Sequence, residues 1–313
     1  MNAPPVNEAD LDMTAVDLDM TAQDLDMTAG DLDMTAPRPE IGARLDQLCL
    51  QSAEPERLAV FFSNAFGMGA VPTEGGWRCH APHRDLLVVA GKANQVAFFA
   101  FALEDEESLA RYRERLTVGA VALGANPSPR YGATAFSTVD PDGNTAVFGV
   151  HSPDSAPAGD RLPARLQHVV FRTTNLDAMV EFYERKLGFV VSDRVKDEAG
   201  VLRACFLRSD HEHHSLGIFR AQESRLDHHS YETRDWGRMR DWADHVATRG
   251  VPLCWGVGRH GVGNNVFFMV KDPDDNLVEI SAEIEVCAAD RPEGLWPHEQ
   301  RTLNLWGDAI MRS

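Results

Sequence analysis

LDQLCLQSAEPERLAVFFSNAFGM (Leu45–Met68) and LQHVVFRTTNLDAMVEFYERKLGF (Leu166–Phe189) are two versions of one pattern. Each opens with a short alternating strand, passes through a turn, and continues as an amphipathic helix that stops at a glycine, Gly67 or Gly188, placed as a C-cap. The later halves repeat as well. TVDPDGNTAVFGV (Thr138–Val150) matches MVKDPDDNLVEISA (Met269–Ala282), each a DPD-[GD]-N turn between two strands. The chain is therefore internally duplicated. One copy occupies residues 41–150 and the other residues 164–285; residues 151–163, rich in Pro, Ser and Gly, form the linker, and residues 286–313 a C-terminal tail.

Within the second copy the unit recurs. Gln167–Phe171 begins one half, with a helix near Leu176–Leu187 and strands running to Phe219. Asp227–Glu232 begins the other, with a helix over Asp235–Arg249 that sets Trp236, Met239, Trp242 and Val246 on one face. Strands near Leu253–Val257, Val266–Val270 and Leu277–Ala282 complete it. The expected fold class is α+β: tandem βαβββ modules, two per domain, in two similar domains.

Residues 1–40 differ in kind. Four copies of DLDMTA, followed by Val16, Gln23, Gly30 and Pro37, set Leu and Met two apart, which splits them across a helix and forms no coiled-coil seam. Ten acidic groups against Arg38 give this stretch -9 of the total charge of -18. It is expected to be a disordered acidic tail. Both parts of the chain being acidic, nucleic acids and anionic membranes are disfavoured as partners. A hydrophobic content of 43% and a charged content of 25% are those of an ordinary globular protein. No apolar run is long enough to span a bilayer, and the N-terminus lacks a secretory pattern. Cys49, Cys79, Cys205, Cys254 and Cys287 form no CxxC pair, so reduced thiols in a cytoplasm are expected.

The chemistry-bearing residues lie in the second copy, in LQHVVF, HHSLGIF, LDHHSYE, GRHGVGNN and DPDDNLVEISAE. Two imidazoles and one carboxylate on one face of a metal suit Fe(II) and leave positions open for substrate and oxygen. His168 lies on the first strand of one half, the pair His228 and His229 on the first strand of the other, and Glu279 on the last strand. Adjacent strand residues face opposite ways, so only one of the pair can join the set. The first copy is an internal control: Gln47 stands for His168, Val147 for Glu279, and Asn94–Leu103 holds no histidine. One copy has the whole set and the other none of it.

Taken in order, these motifs resemble the vicinal oxygen chelate superfamily and, within it, the type I extradiol ring-cleaving dioxygenases, over roughly Ile41–Glu285. The resemblance implies paired βαβββ modules whose sheets curl around a cavity, with metal in the C-terminal domain only. It assigns His168, His229 and Glu279 as ligands of Fe(II), with Mn(II) the alternative, and leaves His228 as a second-line or surface residue. His214 becomes the acid–base histidine, a role an imidazole titrating near neutrality suits. His260 would hydrogen-bond substrate or oxygen-derived groups, and Asn264 would lie beside the substrate. Met269 departs from the pattern, standing where the family usually has a tyrosine. The implied reaction opens a catechol-type ring with O2 to a muconic semialdehyde-type product, in a homo-oligomer. His211 and His213 are expected in a polar hairpin, and His80 and His83 on the surface. RTLNLWG (Arg301–Gly307) is expected as a lid or a docked tail. The rival functions are a non-oxidative metalloenzyme of the same superfamily (a glyoxalase-like isomerase or an epimerase) and a non-catalytic aromatic-ligand-binding protein.

Overall fold

The computed structural model describes residues 41–150 and 162–312. The acidic repeat tail and most of the expected linker lie outside the described residues. Four βαβββ modules follow one another. The first comprises β1 (Ala43–Ser52), α1 (Pro55–Phe66), β2 (Gly69–Thr73), β3 (Gly76–Ala81) and β4 (Arg84–Ala90). The second has β5 (Gln95–Leu103), α2 (Glu106–Val118), β6 (Gly124–Ala125), β7 (Phe136–Val139) and β8 (Thr145–Val150). The third has β9 (Arg165–Thr173), α3 (Leu176–Glu181, prolonged by a π-helical turn over Phe182–Leu187), β10 (Val190–Lys196), β11 (Leu202–Arg208) and β12 (Leu216–Arg220). The fourth has β13 (Arg225–Glu232), α4 (Trp236–Thr248), β14 (Leu253–Arg259), β15 (Val266–Lys271) and β16 (Leu277–Ala282). After them come β17 (Gly294–Pro297) and the short α5 (Gln300–Leu303).

Each pair of modules makes one mixed sheet. The orders are β2-β3-β4-β1-β5-β8-β7-β6 and β14-β15-β16-β13-β9-β12-β11-β10-β17. In both, the first strands of the two modules pair antiparallel at the centre, β1 with β5 and β9 with β13. Gly67 and Gly188 cap their helices with φ of 62° and 79°, the left-handed region that glycine enters without penalty. The two DPD turns are built alike. Asp140 accepts from the backbone N–H groups of Asp142 and Asn144 and from Asn144 Nδ2. Asp272 accepts from Asp274, Asn276 and Asn276 Nδ2 in the same way. The fourth turn residue has positive φ in both, Gly143 at 88° and Asp275 at 63°.

The largest apolar cluster lies on the helix-bearing faces of both sheets and joins them through Phe62, Phe66, Phe99, Phe171, Tyr183 and Trp242. A second cluster fills the other face of the second sheet, including Val170, Phe206, Phe219, Phe267 and Met269. The α4 face is as expected at Met239, Trp242 and Val246, but Trp236 is 47% exposed. It lies in the first turn, next to the cap Asp235, and meets Trp306 edge-on at 5.9 Å, away from the core. No helix among the described residues is long and apolar enough to cross a membrane.

Candidate metal centre

Strand pairing decides which side chains can meet. Ser230 of β13 lies opposite His168 on β9 and beside Glu279 on β16. Residues so paired share a face, and by alternation the other β13 residue on that face is His228. His168, His228 and Glu279 do converge, each contributing one ligand atom to a buried group whose atoms lie within 4.8 Å of one another. His168 Nε2 is 3.2 Å from His228 Nε2 and 3.7 Å from Glu279 Oε1. His228 Nε2 is 3.8 Å from Glu279 Oε2.

The expected ligand His229 points the other way. Its ring lies on the helix-bearing face, 5.8 Å from Phe62 and 5.4 Å from Tyr231, with both ring nitrogens buried and unpartnered. The register of the first copy agrees: Ala100 pairs with both Gln47 and Val147, as Ser230 does with His168 and Glu279. Counting back, His228 corresponds to Phe98 and His229 to Phe99, and Phe99 belongs to the main core.

Hydrogen bonds behind the three residues determine what they can bind. His168 Nδ1 meets Gln167 Oε1, an acceptor, so Nδ1 carries the hydrogen and Nε2 a lone pair. His228 Nδ1 donates to Asp227 Oδ1 at 2.6 Å, which leaves its Nε2 bare as well. Asp227 is wholly buried; burial would raise its pKa, but Arg312 and His228 hold it well below the usual carboxylate range. Arg172 also donates to it at 2.6 Å. Glu279 Oε1 accepts from Ser230 Oγ and Asn265 Nδ2, while Oε2 is buried without a hydrogen-bond donor. Burial pushes Glu279 up as well, and His260, His228 and Ser230 overcome it, so the group stays ionised. Two nitrogen lone pairs and an unpartnered carboxylate oxygen therefore face one small space. Lone pairs at such separations repel unless a cation or a proton lies between them. Burial, and then the neighbouring imidazoles His214, His228, His260 and His229, drive His168 far below its ordinary pKa, which disfavours the proton. This donor set fits a divalent metal of the kind held by two imidazoles and a carboxylate.

The neighbours make the space a binding site. His214 is 3% exposed, with its ring 4.5 Å from that of His168. His260 stacks on Phe267 at 3.8 Å, donates from Nδ1 to the Leu303 carbonyl at 2.5 Å, and brings Nε2 to 3.5 Å from Glu279 Oε2. Phe206, Phe219, Trp255, Val262, Met269 and Leu303 wall a cavity with His168, His214, His228 and His260 at its polar end. The C-terminal tail docks here. Gly261 and Val262 donate to the Thr302 carbonyl, and Leu305 donates to Arg259. Arg312 lies over Trp255 at 4.8 Å.

Other expected residues are redistributed. Asn264 is an exposed turn residue with φ of 54°, and its neighbour Asn265 reaches Glu279. His213, expected in a polar hairpin, is completely buried and bonded to His214 and Asp193. Asp193 and Gln167 went unnoticed because nothing in their local sequence marks them. Only the fold brings Asp193 across from β10.

Residues 165–280 match the profile of the Glyoxalase/Bleomycin resistance protein/Dioxygenase superfamily. The chain is 29% identical over 276 residues to metapyrocatechase 2 of Cupriavidus necator, covering 80% of this chain and 84% of that one. It is 26% identical over 262 residues to 3-methylcatechol 2,3-dioxygenase of Pseudomonas putida, covering 75% and 88%. Among solved structures, homoprotocatechuate 2,3-dioxygenase of Brevibacterium fuscum, in an anaerobic complex with 3,4-dihydroxyphenylacetate, superposes with a TM-score of 0.74 at 19% identity, over 88% and 92% of the two chains. A Mn(II)-bound glyoxalase of Novosphingobium aromaticivorans gives 0.73 at 21%, over 85% and 91%. At these identities the structures establish a shared fold.

Proposed function

We propose that this chain, which carries a glyoxalase/bleomycin resistance protein/dioxygenase superfamily domain over residues 165–280, is an Fe(II)-dependent extradiol dioxygenase acting on a catechol-type substrate. The observation that carries the reading is the convergence of two bare imidazole nitrogens and an unpartnered carboxylate oxygen at the polar end of an apolar cavity. The names of the two sequence relatives, a metapyrocatechase and a 3-methylcatechol 2,3-dioxygenase, point the same way.

His168, His228 and Glu279 would hold the ferrous ion, which supplies a meeting point for the catechol oxygens and O2 and a route for electrons between them. The protein supplies placement and protons. The cavity is walled by Phe206, Phe219, Trp255, Val262, Met269 and Leu303. Its aromatic and aliphatic walls grip the ring and keep water out. His214, beside His168 and facing the cavity, would take the proton of the second hydroxyl and return it as the ring opens. Burial pushes its pKa well below the ordinary value, so it meets substrate as a neutral base. His260, whose Nδ1 donates to the Leu303 carbonyl, brings Nε2 to the same region and would hydrogen-bond substrate or oxygen-derived groups. Met269 gives that wall a thioether in place of a hydroxyl donor.

Full-length protein loaded anaerobically with Fe(II) is expected to take up O2 with catechol and methylcatechols and to form a yellow ring-fission product. His214→Ala should keep its iron and lose about 10²–10⁴ in kcat. The absence of O2 uptake across a broad catechol panel would defeat the assignment. A non-oxidative isomerase is the second reading, because a Mn(II)-bound glyoxalase shares the fold; it requires turnover without O2.

A further inference from the structure

His214 is placed against His168 and lines the cavity, and it does not stand alone. Its Nδ1 lies 3.0 Å from Nδ1 of His213. On the far side, His213 Nε2 lies 3.0 Å from Asp193 Oδ2. Asp193 sits on β10 and is held from outside by Arg291 Nη2 at 3.1 Å and Trp296 Nε1 at 2.9 Å. Burial would raise this carboxyl, but the bonds from His213 and Arg291 hold it below the ordinary value, so it is ionised and can only accept.

Accept-only chemistry at one end orders the hydrogens along the row. The Asp193 carboxylate takes the hydrogen of His213 Nε2. With its one ring hydrogen so used, His213 presents a bare Nδ1, which accepts. Among the described residues the donor hydrogen-bonded to it is His214 Nδ1, so that atom carries the hydrogen and His214 Nε2 is left as a lone pair. We infer that Asp193 and His213 are positioning residues that lock His214 in the tautomer whose bare Nε2 faces the cavity. No charge change is involved in setting this state. In the reaction a substrate O–H bond breaks, an Nε2–H bond forms, and the imidazolium so made keeps its Nδ1–H···Nδ1 contact with His213.

The packing protects the junction. Gly263 has φ of 77°, and a Cβ there would lie 3.2 Å from both His213 Nδ1 and His214 Cε1. At the other end β17 pairs with β10 so closely that a Cβ on Gly294 would strike the Asp193 carboxylate. The row is clamped at both ends by glycines that let backbone approach side chain.

What the tautomer is for rests on the extradiol reading; the tautomer itself does not. The test is ¹⁵N NMR at pH 8 of the full chain with labelled histidine and Zn(II) as a diamagnetic metal, His214 being assigned by its loss in His214→Gln. Wild type is expected to show a protonated Nδ1 and a bare Nε2 at His214. His213→Gln can keep an amide on Asp193 but removes the acceptor at Nδ1, so His214 should move to the Nε2–H form. The Fe(II) form of that variant should keep its iron and its KM while kcat falls about 10–100-fold. His213→Asn, which restores an acceptor near Nδ1, should restore both the tautomer and kcat. An Nε2–H signal at His214 in wild type overturns the inference, as does an unchanged tautomer in His213→Gln. If that variant does not fold, the wild-type spectrum still decides. A protein that turns over no catechol but shows the bare Nε2 would sink the dioxygenase reading and leave this inference standing.

Discussion

Replacing His229 with phenylalanine should stabilise the protein and leave its metal in place. The imidazole sits in the aromatic core between Phe62 and Tyr231, and both nitrogens are buried without partners. A buried unsatisfied polar atom costs about 1–3 kcal/mol. The first copy has Phe99, completely buried, at the corresponding position. Allowing for the strain of a slightly larger ring, His229→Phe should gain about 1–3 kcal/mol at neutral pH. The difference should widen in acid. Burial, and then the charge of His228, push the His229 pKa down to about 3, against an ordinary value of 6.5. Between those pH values the unfolded chain binds a proton that the folded chain refuses, so wild-type stability falls with pH by about 1.4 kcal/mol per unit. At pH 5 this adds about 2 kcal/mol to the gap, because phenylalanine has no such term. Urea unfolding of the metal-free proteins at pH 7.5 and pH 5 reads both numbers. Iron content of the loaded proteins supplies the control: His229→Phe should bind as wild type does, and His228→Phe should not. Loss of iron from His229→Phe, or a gap that does not grow on acidification, would refute the reasoning.

Two further expectations follow from local geometry. Gly263→Ala forces an L-residue to φ of 77° and wedges a methyl group against His213 and His214; it should cost about 1–2 kcal/mol and lower kcat while iron is retained, as unfolding curves and steady-state rates would show. Of the five cysteines only Cys254 is exposed, and burial pushes the thiols of Cys49, Cys79 and Cys205 up to about 12 and Cys287 to about 11. Iodoacetamide at pH 8 should therefore give a single adduct, at Cys254, by mass spectrometry, and a second adduct forming at a comparable rate would contradict the packing.

The fold was legible because two long stretches repeat with the same helix-ending glycine and the same Asp-anchored turn. Those are local signals, and the structure honours them at Gly67, Gly188, Asp140 and Asp272. Of the candidate metal group, His168 and Glu279 are named by the sequence, whereas its third member, His228, lies one residue before the expected His229 for a physical reason. Counting by twos from Leu226, a core residue, puts His228 in the core and His229 at the site; counting from Tyr231, also core, gives the reverse. Both residues lie in the same apolar cluster because β13 contains a register shift between Leu226 and His228. A bulge inverts alternation, and no property of LDHHSYE announces it. A second shift, between Ser230 and Tyr231, falls where β9 carries Gln167 as the extra residue, beside the His168 ring it orients. His213 was misjudged because its surroundings, HEHH, are polar in sequence, whereas its partner Asp193 is twenty residues away.

In the first copy, Gln47 occupies the place of His168, and its side chain bonds Asp85 and Ser128. Asp85 and Asp46 share the guanidinium of Arg130, at 3.2 Å and 2.6 Å, with the Tyr131 hydroxyl on Asp46 as well. That half of the molecule has a permanent positive charge, Arg130, bonded to the carboxylate that Gln47 contacts. Replacing Gln47, Phe98 and Val147 by His, His and Glu would therefore not by itself create a second centre: the new ligands would share the Asp85 network with a cation covalently tied to the backbone, one that cannot be chelated away or exchanged. Removing Arg130 would take a guanidinium away from Asp46 and leave Asp85 with Arg78 as its counter-charge.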